Sequence, residues 1–414
     1  MDDVLADDAL AIAPFATGRL PRIVFGAGTL AGLPGEVAAM GRRALLVTGA
    51  ASLRASPVWE KLTQALRQHG VDWEAVPVAG EPGPARVDEI VAAFRDGGFD
   101  AVVGIGGGSV LDCAKAVAGL LRSGRSVMDH LEGMGRAIPY TGPAAPFIAV
   151  PTTAGTGSEA TRNAVLSLVG PDGFKKSFRH DDLMARVAIV DPVFLESCPP
   201  ALVAANGMDA LTQLIEASVS TRANPMTDAL AWSGLKAFAA GFFPAYRGSC
   251  GVLDGSGAAV VAARGQLAYA ALMSGLCLAQ AGLGSVHGLA SPLGAYYPIA
   301  HGIVCGTLVA EAIAINIQAL EERLPESQAL VKYARVGRLL AGLSRNAPPA
   351  AARTALVQSL RLWQVELKLP RLAGYGVVAG DLAKVVAASR SGSMQTNPLV
   401  LTDAEITEIL RRRL

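Results

Sequence analysis

Ala101–Leu121 reads AVVGIGGGSVLDCAKAVAGLL. Ala101–Ile105 is a short apolar run of the kind buried on both faces of a parallel sheet. Gly104-Ile-Gly106-Gly107-Gly108-Ser109 breaks the run, and Val110–Leu121 resumes at helical spacing. Strand, glycine turn and helix in this order predict one unit of a parallel α/β sheet. Backbone N–H groups of such a turn, with the positive end of the helix behind them, suit a diphosphate. A tight turn that carries no ligand is the alternative reading. The usual dinucleotide fingerprint, GxGxxG registered on Gly104, would need glycine where Ser109 stands.

The flanking sequence continues the alternation. Ala44–Thr48, Val71–Val78, Phe147–Val150 and Val187–Val190 read as strands, with helical spacing over Pro57–Gly70 and Val87–Arg95. A second loop of small polar residues, Pro151-Thr152-Thr153-Ala154-Gly155-Thr156-Gly157-Ser158-Glu159, follows Phe147–Val150. By itself it is an ordinary loop or a ligand loop. Two such loops on successive strand ends point to a ligand, because open α/β sheets bind at the carboxyl ends of their strands.

After Pro199-Pro200 the pattern changes to helix formers, with candidate helices over Ala201–Ser220, Pro225–Ala240, Ala258–Ala279 and Leu330–Leu343. The reading is an α/β domain over residues 1–195 and an all-helical domain over 196–414. Length agrees, since 414 residues exceed what one core usually serves. Apolar residues are 51% and charged residues 17%, which excludes a disordered chain. A net charge of +1 offers nucleic acid no basic surface.

No Asp, Glu, Lys or Arg occurs between Arg264 and Glu311. Its cleanest apolar stretch, Leu267–Ala279, is too short for a bilayer, so buried core helices are expected and no membrane span. Five scattered cysteines without a CxxC pair suit a reducing compartment. The acidic first residues do not read as a secretory signal, and a cytoplasmic location is expected.

Asp209 and Gln213 lie four residues apart in GMDALTQLIEA and share one helix face. His287 and His301, two of only five histidines, fall inside the charge-free stretch. Pro292 and Pro298 argue that they come from consecutive segments. A buried histidine has a hydrogen-bond partner or a metal, and both readings stand at this point.

Together with Phe25-Gly26-x-Gly28 and DPVFLESCPPALVAANGMDALTQLIEASVS, these motifs resemble the iron-containing (group III) alcohol dehydrogenase family over nearly the whole chain. The resemblance implies the dehydroquinate synthase-like fold, a nucleotide-binding α/β domain followed by a helical domain, with the active site between them. It implies an NAD(P)-dependent oxidoreductase acting on the CH–OH group of a small alcohol, or in reverse on an aldehyde. It assigns the pyrophosphate to Gly107, Gly108 and Ser109 with Asp112 nearby, and the cofactor's flank to Thr152 and Thr153. The family's metal, Fe²⁺ or Zn²⁺, takes one Asp and three His. Asp209, His287 and His301 match, and the third His falls on Gln213, a weaker ligand that puts occupancy in doubt. Ser291 stands where many members carry a His thought to serve proton exit. Gly49 stands where NAD-preferring members often carry an Asp, so NADP is expected to be tolerated as well as NAD, with Arg54 nearby. Relatives are commonly dimers built through an N-terminal strand, which Arg22–Phe25 could supply as a homodimer edge.

Three alternatives stay open. A metal-independent enzyme of the maleylacetate reductase type usually loses the Asp ligand, and Asp209 is kept. Lys175, Lys176 and Arg179 could serve its anionic substrate, although a solvated charged loop is the plainer reading. A lyase of the dehydroquinate synthase type would need basic residues that Asp209–Glu216 does not offer. A non-catalytic nucleotide-binding homologue is compatible with Gln213 and Ser291.

Overall fold

The computed structural model describes residues 12–414, so the first eleven residues of the acidic N-terminus read above lie outside it. Eight strands are formed: β1 (Arg22–Phe25), β2 (Arg43–Gly49), β3 (Asp72–Val78), β4 (Ala101–Gly106), β5 (Phe147–Pro151), β6 (Asn163–Leu168), β7 (Phe174–Arg179) and β8 (Val187–Val190). Six of them make one parallel sheet in the order β1-β8-β5-β4-β2-β3. Alternate residues feed two cores. Leu45, Val47 and Val102 face one side with Val87 and Ile90 of α3 (Pro84–Phe94) and Val117 of α4 (Gly108–Leu120). Leu46, Val103 and Ile105 face the other with Leu33 of α1 (Leu33–Ala38) and Leu66 of α2 (Pro57–Gln68). That two-sided burial is why the central strands read as unbroken apolar runs.

The register pairs Thr48 with Ile105 and Gly106 with Pro151, so the carboxyl ends of β2, β4 and β5 sit side by side. The two polar loops leave from this edge.

β6 and β7 form a separate antiparallel hairpin. This corrects the reading of residues 175–179 as a solvated loop. Lys175 is drawn into an ion pair with Glu81 at 3.0 Å, and its side chain keeps only 9% exposure. Arg179 pairs with Glu132 at 3.2 Å.

The helical domain runs α5 (Pro200–Val219), α6 (Pro225–Ser249), α7 (Ala258–Ala281), α8 (Ser285–Tyr296), α9 (His301–Arg323), α10 (Gln328–Leu340), α11 (Pro349–Glu366), α12 (Leu382–Ala388) and α13 (Asp403–Arg412). α5 is its axis, buried along most of its length against α6, α7 and α9. α6 continues through Pro244, past the stop expected at Ala240. Phe238 stacks on Phe242 at 4.6 Å, and Phe243 meets Trp363 at 5.1 Å, so aromatic packing holds the turn that the proline weakens. α7 and α9 are long and apolar enough to cross a membrane by length and composition, yet 72% and 83% of their most apolar windows are buried within the domain. Core helices of this kind pass the same test.

One buried cation fixes the second loop to the sheet. Lys115, fully buried in α4, donates from Nζ to the Ser158 carbonyl (2.9 Å), Ser158 Oγ (3.0 Å), Thr161 Oγ1 (3.0 Å) and the Asn163 carbonyl (2.8 Å). Asp112 completes the group, accepting from Ser158 Oγ at 2.5 Å and from Val165 N at 3.2 Å. Removing one partner of a buried charge network strands the others. Lys115→Met should therefore lower stability by about 3 kcal/mol or more, read as the urea midpoint; an unchanged midpoint would contradict the role given to this lysine.

Candidate metal and cofactor site

Gly107 is the N-cap of α4 and Gly108 its first residue, so their N–H groups and that of Ser109 open toward the sheet edge. Thr152 N donates to the Gly106 carbonyl at 2.9 Å. A Cβ on Gly107 would meet Thr153 at 3.4 Å, and one on Gly108 would meet Thr156 at 2.6 Å. The structure thus brings Gly107, Gly108, Ser109, Thr152 and Thr153 together, with Gly49 at the neighbouring strand end. Asp112 lies one turn deeper, engaged with Ser158 and Lys115 rather than open to the turn. Burial raises the Asp112 carboxyl and pushes Glu159 up to about 7. Arg54 donates to the Ala75 carbonyl at 3.4 Å and covers the Trp59 ring at 5.4 Å.

The second loop then turns onto the helical domain. Gly157 adopts φ +60°, and a Cβ there would stand 2.4 Å from the Gly275 Cα of α7. Only glycine on both sides allows so close an approach. Ser274, beside it, places Oγ 3.4 Å from the Gly155 carbonyl and 2.9 Å from Gln213 Oε1. Gln213 Nε2 donates to Asp209 Oδ1 at 3.3 Å. Ser274 Oγ also lies 2.7 Å from the Ala271 carbonyl, and its one hydrogen serves one of the three acceptors at a time, so a run of polar contacts links the second loop to Asp209.

Asp209, His287 and His301 converge, as the family resemblance implied. Asp209 lies on α5, His287 in the first turn of α8, and His301 opens α9 after the break at Pro298. Pro292 itself is accommodated inside α8. Asp209 Oδ1 lies 3.2 Å from His287 Nε2 and 3.7 Å from His301 Nε2. Cys305, one turn along α9 from His301, brings its sulfur into the same group, and the four donors lie within 4.8 Å of one another.

Glu216 is the partner that composition did not reveal. It lies seven residues after Asp209 on the same face of α5. His287 Nδ1 donates to its Oε2 at 2.7 Å, and Val286 N to its Oε1 at 2.7 Å. The carboxylate thereby caps the N-terminus of α8, where negative charge is favoured, and turns His287 Nε2 toward Asp209 Oδ1. Asn397 Oδ1 accepts from Ser285 N at 3.0 Å and completes the cap.

The residues fit a divalent cation. Asp209 Oδ2 and His301 Nδ1 are buried polar atoms without a hydrogen-bond partner among the described residues. Burial alone would raise the Asp209 carboxyl, but His301 and His287 outweigh it and hold it at about 2. Burial pushes the His301 imidazole down to about 4 against the pull of Asp209, which keeps it neutral, the form that ligates. Burial also disfavours charge on His287, yet Cys305, Asp209 and Glu216 around it raise it well above the imidazole range. Burial pushes the Cys305 thiol up to about 12. A bound cation reverses such preferences by displacing the protons.

Comparison with known proteins places this geometry. The iron-containing alcohol dehydrogenase model matches residues 21–192, and the C-terminal model of the Fe-containing alcohol dehydrogenase family matches residues 203–414. Long-chain-alcohol dehydrogenase 1 of Geobacillus thermodenitrificans is 34% identical, over 94% of this chain and 95% of its own. 1,3-Propanediol dehydrogenase of Klebsiella pneumoniae is 33% identical, over 90% and 91%. The crystal structure of a 1,3-propanediol oxidoreductase superposes with a TM-score of 0.85 at 28% identity, covering 97% of this chain and all of the other.

Glu216 acts through His287. Glu216→Gln should weaken metal affinity roughly 10–100-fold, measured by competition with a chelating dye; unchanged affinity would show that the contact does not orient the ring.

Proposed function

The chain belongs to the iron-containing alcohol dehydrogenase family, and from that premise we propose that it moves a hydride between a nicotinamide cofactor and a small alcohol or aldehyde at the junction of its two domains. The observation that carries this is the convergence of Asp209, His287 and His301 at the end of a polar chain that starts in the cofactor loop. When bound, a divalent cation supplies Lewis-acid stabilisation of the developing oxyanion, and the nicotinamide supplies the hydride acceptor or donor.

The chain's own residues do the rest. Gly107, Gly108 and Ser109 present N–H groups to the pyrophosphate, and Thr152 and Thr153 line the cofactor. Asp209, His287 and His301 hold the cation, and Glu216 fixes the tautomer of His287. Ser291 Oγ donates to the Lys175 carbonyl at 3.1 Å, so the position that many relatives give to a proton-carrying His is tied to the hairpin here. His287 is 7% exposed, in a stretch without Asp, Glu, Lys or Arg between Arg264 and Glu311, which limits water around it. Gly49 leaves open space at the end of β2, with nothing within 4 Å of a Cβ built there, so a 2′-phosphate meets no carboxylate from this position and NADP(H) is accepted beside NAD(H). The domains divide at about residue 195, between β8 and α5.

β1 ends the sheet with Ile23 and Phe25 exposed, and a second copy of the chain pairs there. A single-chain mass in sedimentation would remove that homodimer.

The test of function uses protein purified without chelator. Oxidation of NADPH and NADH with small aldehydes should be lost on chelation and restored by Zn²⁺ or Fe²⁺, with NADPH accepted. Metal-free protein that still reduces aldehydes would move the chain to the metal-independent branch.

A further inference from the structure

We propose that Cys305 supplies the fourth protein donor to the cation, so that this chain holds its metal with Asp209, His287, His301 and a cysteine thiolate. The proposal rests on the metal reading above and deepens it by naming a donor set and the metal it selects.

Distances carry it. Cys305 Sγ lies 3.6 Å from His287 Nε2 and 3.8 Å from His301 Nε2. Tetrahedral zinc with Zn–S of about 2.3 Å and Zn–N of about 2.0–2.1 Å places sulfur and nitrogen about 3.6 Å apart. The same construction gives about 3.4 Å between nitrogen and a carboxylate oxygen. Asp209 Oδ1 stands 3.2 and 3.7 Å from the two ring nitrogens, on either side of that figure. Four of the six edges of a tetrahedral donor set thus lie near those lengths, and the other two are within 4.8 Å.

Other thiols of the chain are placed differently. Cys277 Sγ donates to the Thr227 carbonyl at 3.6 Å, and Cys198 Sγ to the Thr152 carbonyl at 3.5 Å. Cys305 Sγ instead faces two imidazole nitrogens in a fully buried position.

Gln213, the family's third histidine position, is otherwise engaged. Its Oε1 accepts from Ser274 Oγ, and its amide N–H points at Asp209 Oδ1. The reverse amide orientation would set two oxygens against each other at 3.3 Å. A donor group aimed at the carboxylate makes Gln213 a positioning residue for Asp209. The two departures therefore compensate: α5 loses an imidazole at 213, and α9 gains a sulfur at 305. Thiolate is the softer donor, and it shifts selectivity from Fe²⁺ toward Zn²⁺.

Cobalt reports the donor directly. Full-length protein is stripped with chelator and reloaded with Co²⁺, alongside Cys305→Ser, Cys305→Ala and Gln213→Ala. A near-ultraviolet thiolate-to-cobalt charge-transfer band is expected in the wild type and in Gln213→Ala, and is absent from both Cys305 variants. Anaerobic loading from equimolar Fe²⁺ and Zn²⁺ should favour zinc more strongly in the wild type than in Cys305→Ser, because the softer thiolate donor is lost in the variant. Stoichiometric Co²⁺ without the band, or a band that survives in a folded Cys305 variant, overturns the assignment while leaving the metal reading intact. Because the wild-type spectrum alone can fail, misfolded variants do not protect the proposal. Protein that binds no Co²⁺ yet turns over NADPH overturns both.

Discussion

Two carboxylates buried on one face of α5 constrain the rest of this molecule. Asp209 is 1% exposed and Glu216 5%, with His287, from the charge-free stretch between Arg264 and Glu311, wedged between them. Even a protonated His287 balances only one of the two negative charges. Buried charge is tolerated only when paired and hydrogen-bonded. Glu216 meets that requirement with the α8 N-terminus. Asp209 keeps one oxygen without a partner among the described residues. The divalent cation proposed between α5, α8 and α9 would resolve the imbalance, and the break at Pro298 that starts α9 at His301 is what lets three helices aim donors at one point.

The cofactor side depends on the same centre through short-range contacts. Lys115 and Asp112 pin the second polar loop to α4, and the Gly157–Gly275 approach presses that loop onto α7. Ser274 and Gln213 then connect it to Asp209. Each neutral hydrogen bond in such a chain adds only about 1 kcal/mol. Its larger effect is positional: it links the loop proposed to line the cofactor with the carboxylate proposed to hold the cation. Hydride transfer needs that fixed relation between two separately bound groups.

Much of this was legible in the sequence. The apolar runs at Ala44–Thr48 and Ala101–Ile105 are strands because both faces of the sheet are covered, and period and length disclose that. Asp209, His287 and His301 were visible as rare residues in apolar surroundings. Glu216 and Cys305 were not singled out, although each keeps helical spacing from a recognised donor, seven residues from Asp209 and four from His301. Acidic residues are common along the chain, and the five cysteines show no metal-type spacing among themselves, so sequence alone does not distinguish either residue; the crossing of three helices does. The β6–β7 hairpin was missed for another reason. FKKSFR carries too many charges for a strand pattern, and only Glu81, on a distant loop, shows why Lys175 can lie inward. The helix expected over Pro225–Ala240 runs on through Pro244 because the aromatic packing that supports the turn is tertiary.

The central claim is that a cation sits among Asp209, His287 and His301 with sulfur beside it. X-ray absorption at the metal edge of protein purified without chelator tests it most directly. The account predicts a zinc edge whose first shell contains one sulfur at about 2.3 Å and nitrogen or oxygen donors at about 2.0–2.2 Å. A six-coordinate shell of oxygen and nitrogen alone would contradict it, as would protein that carries no metal while turning over.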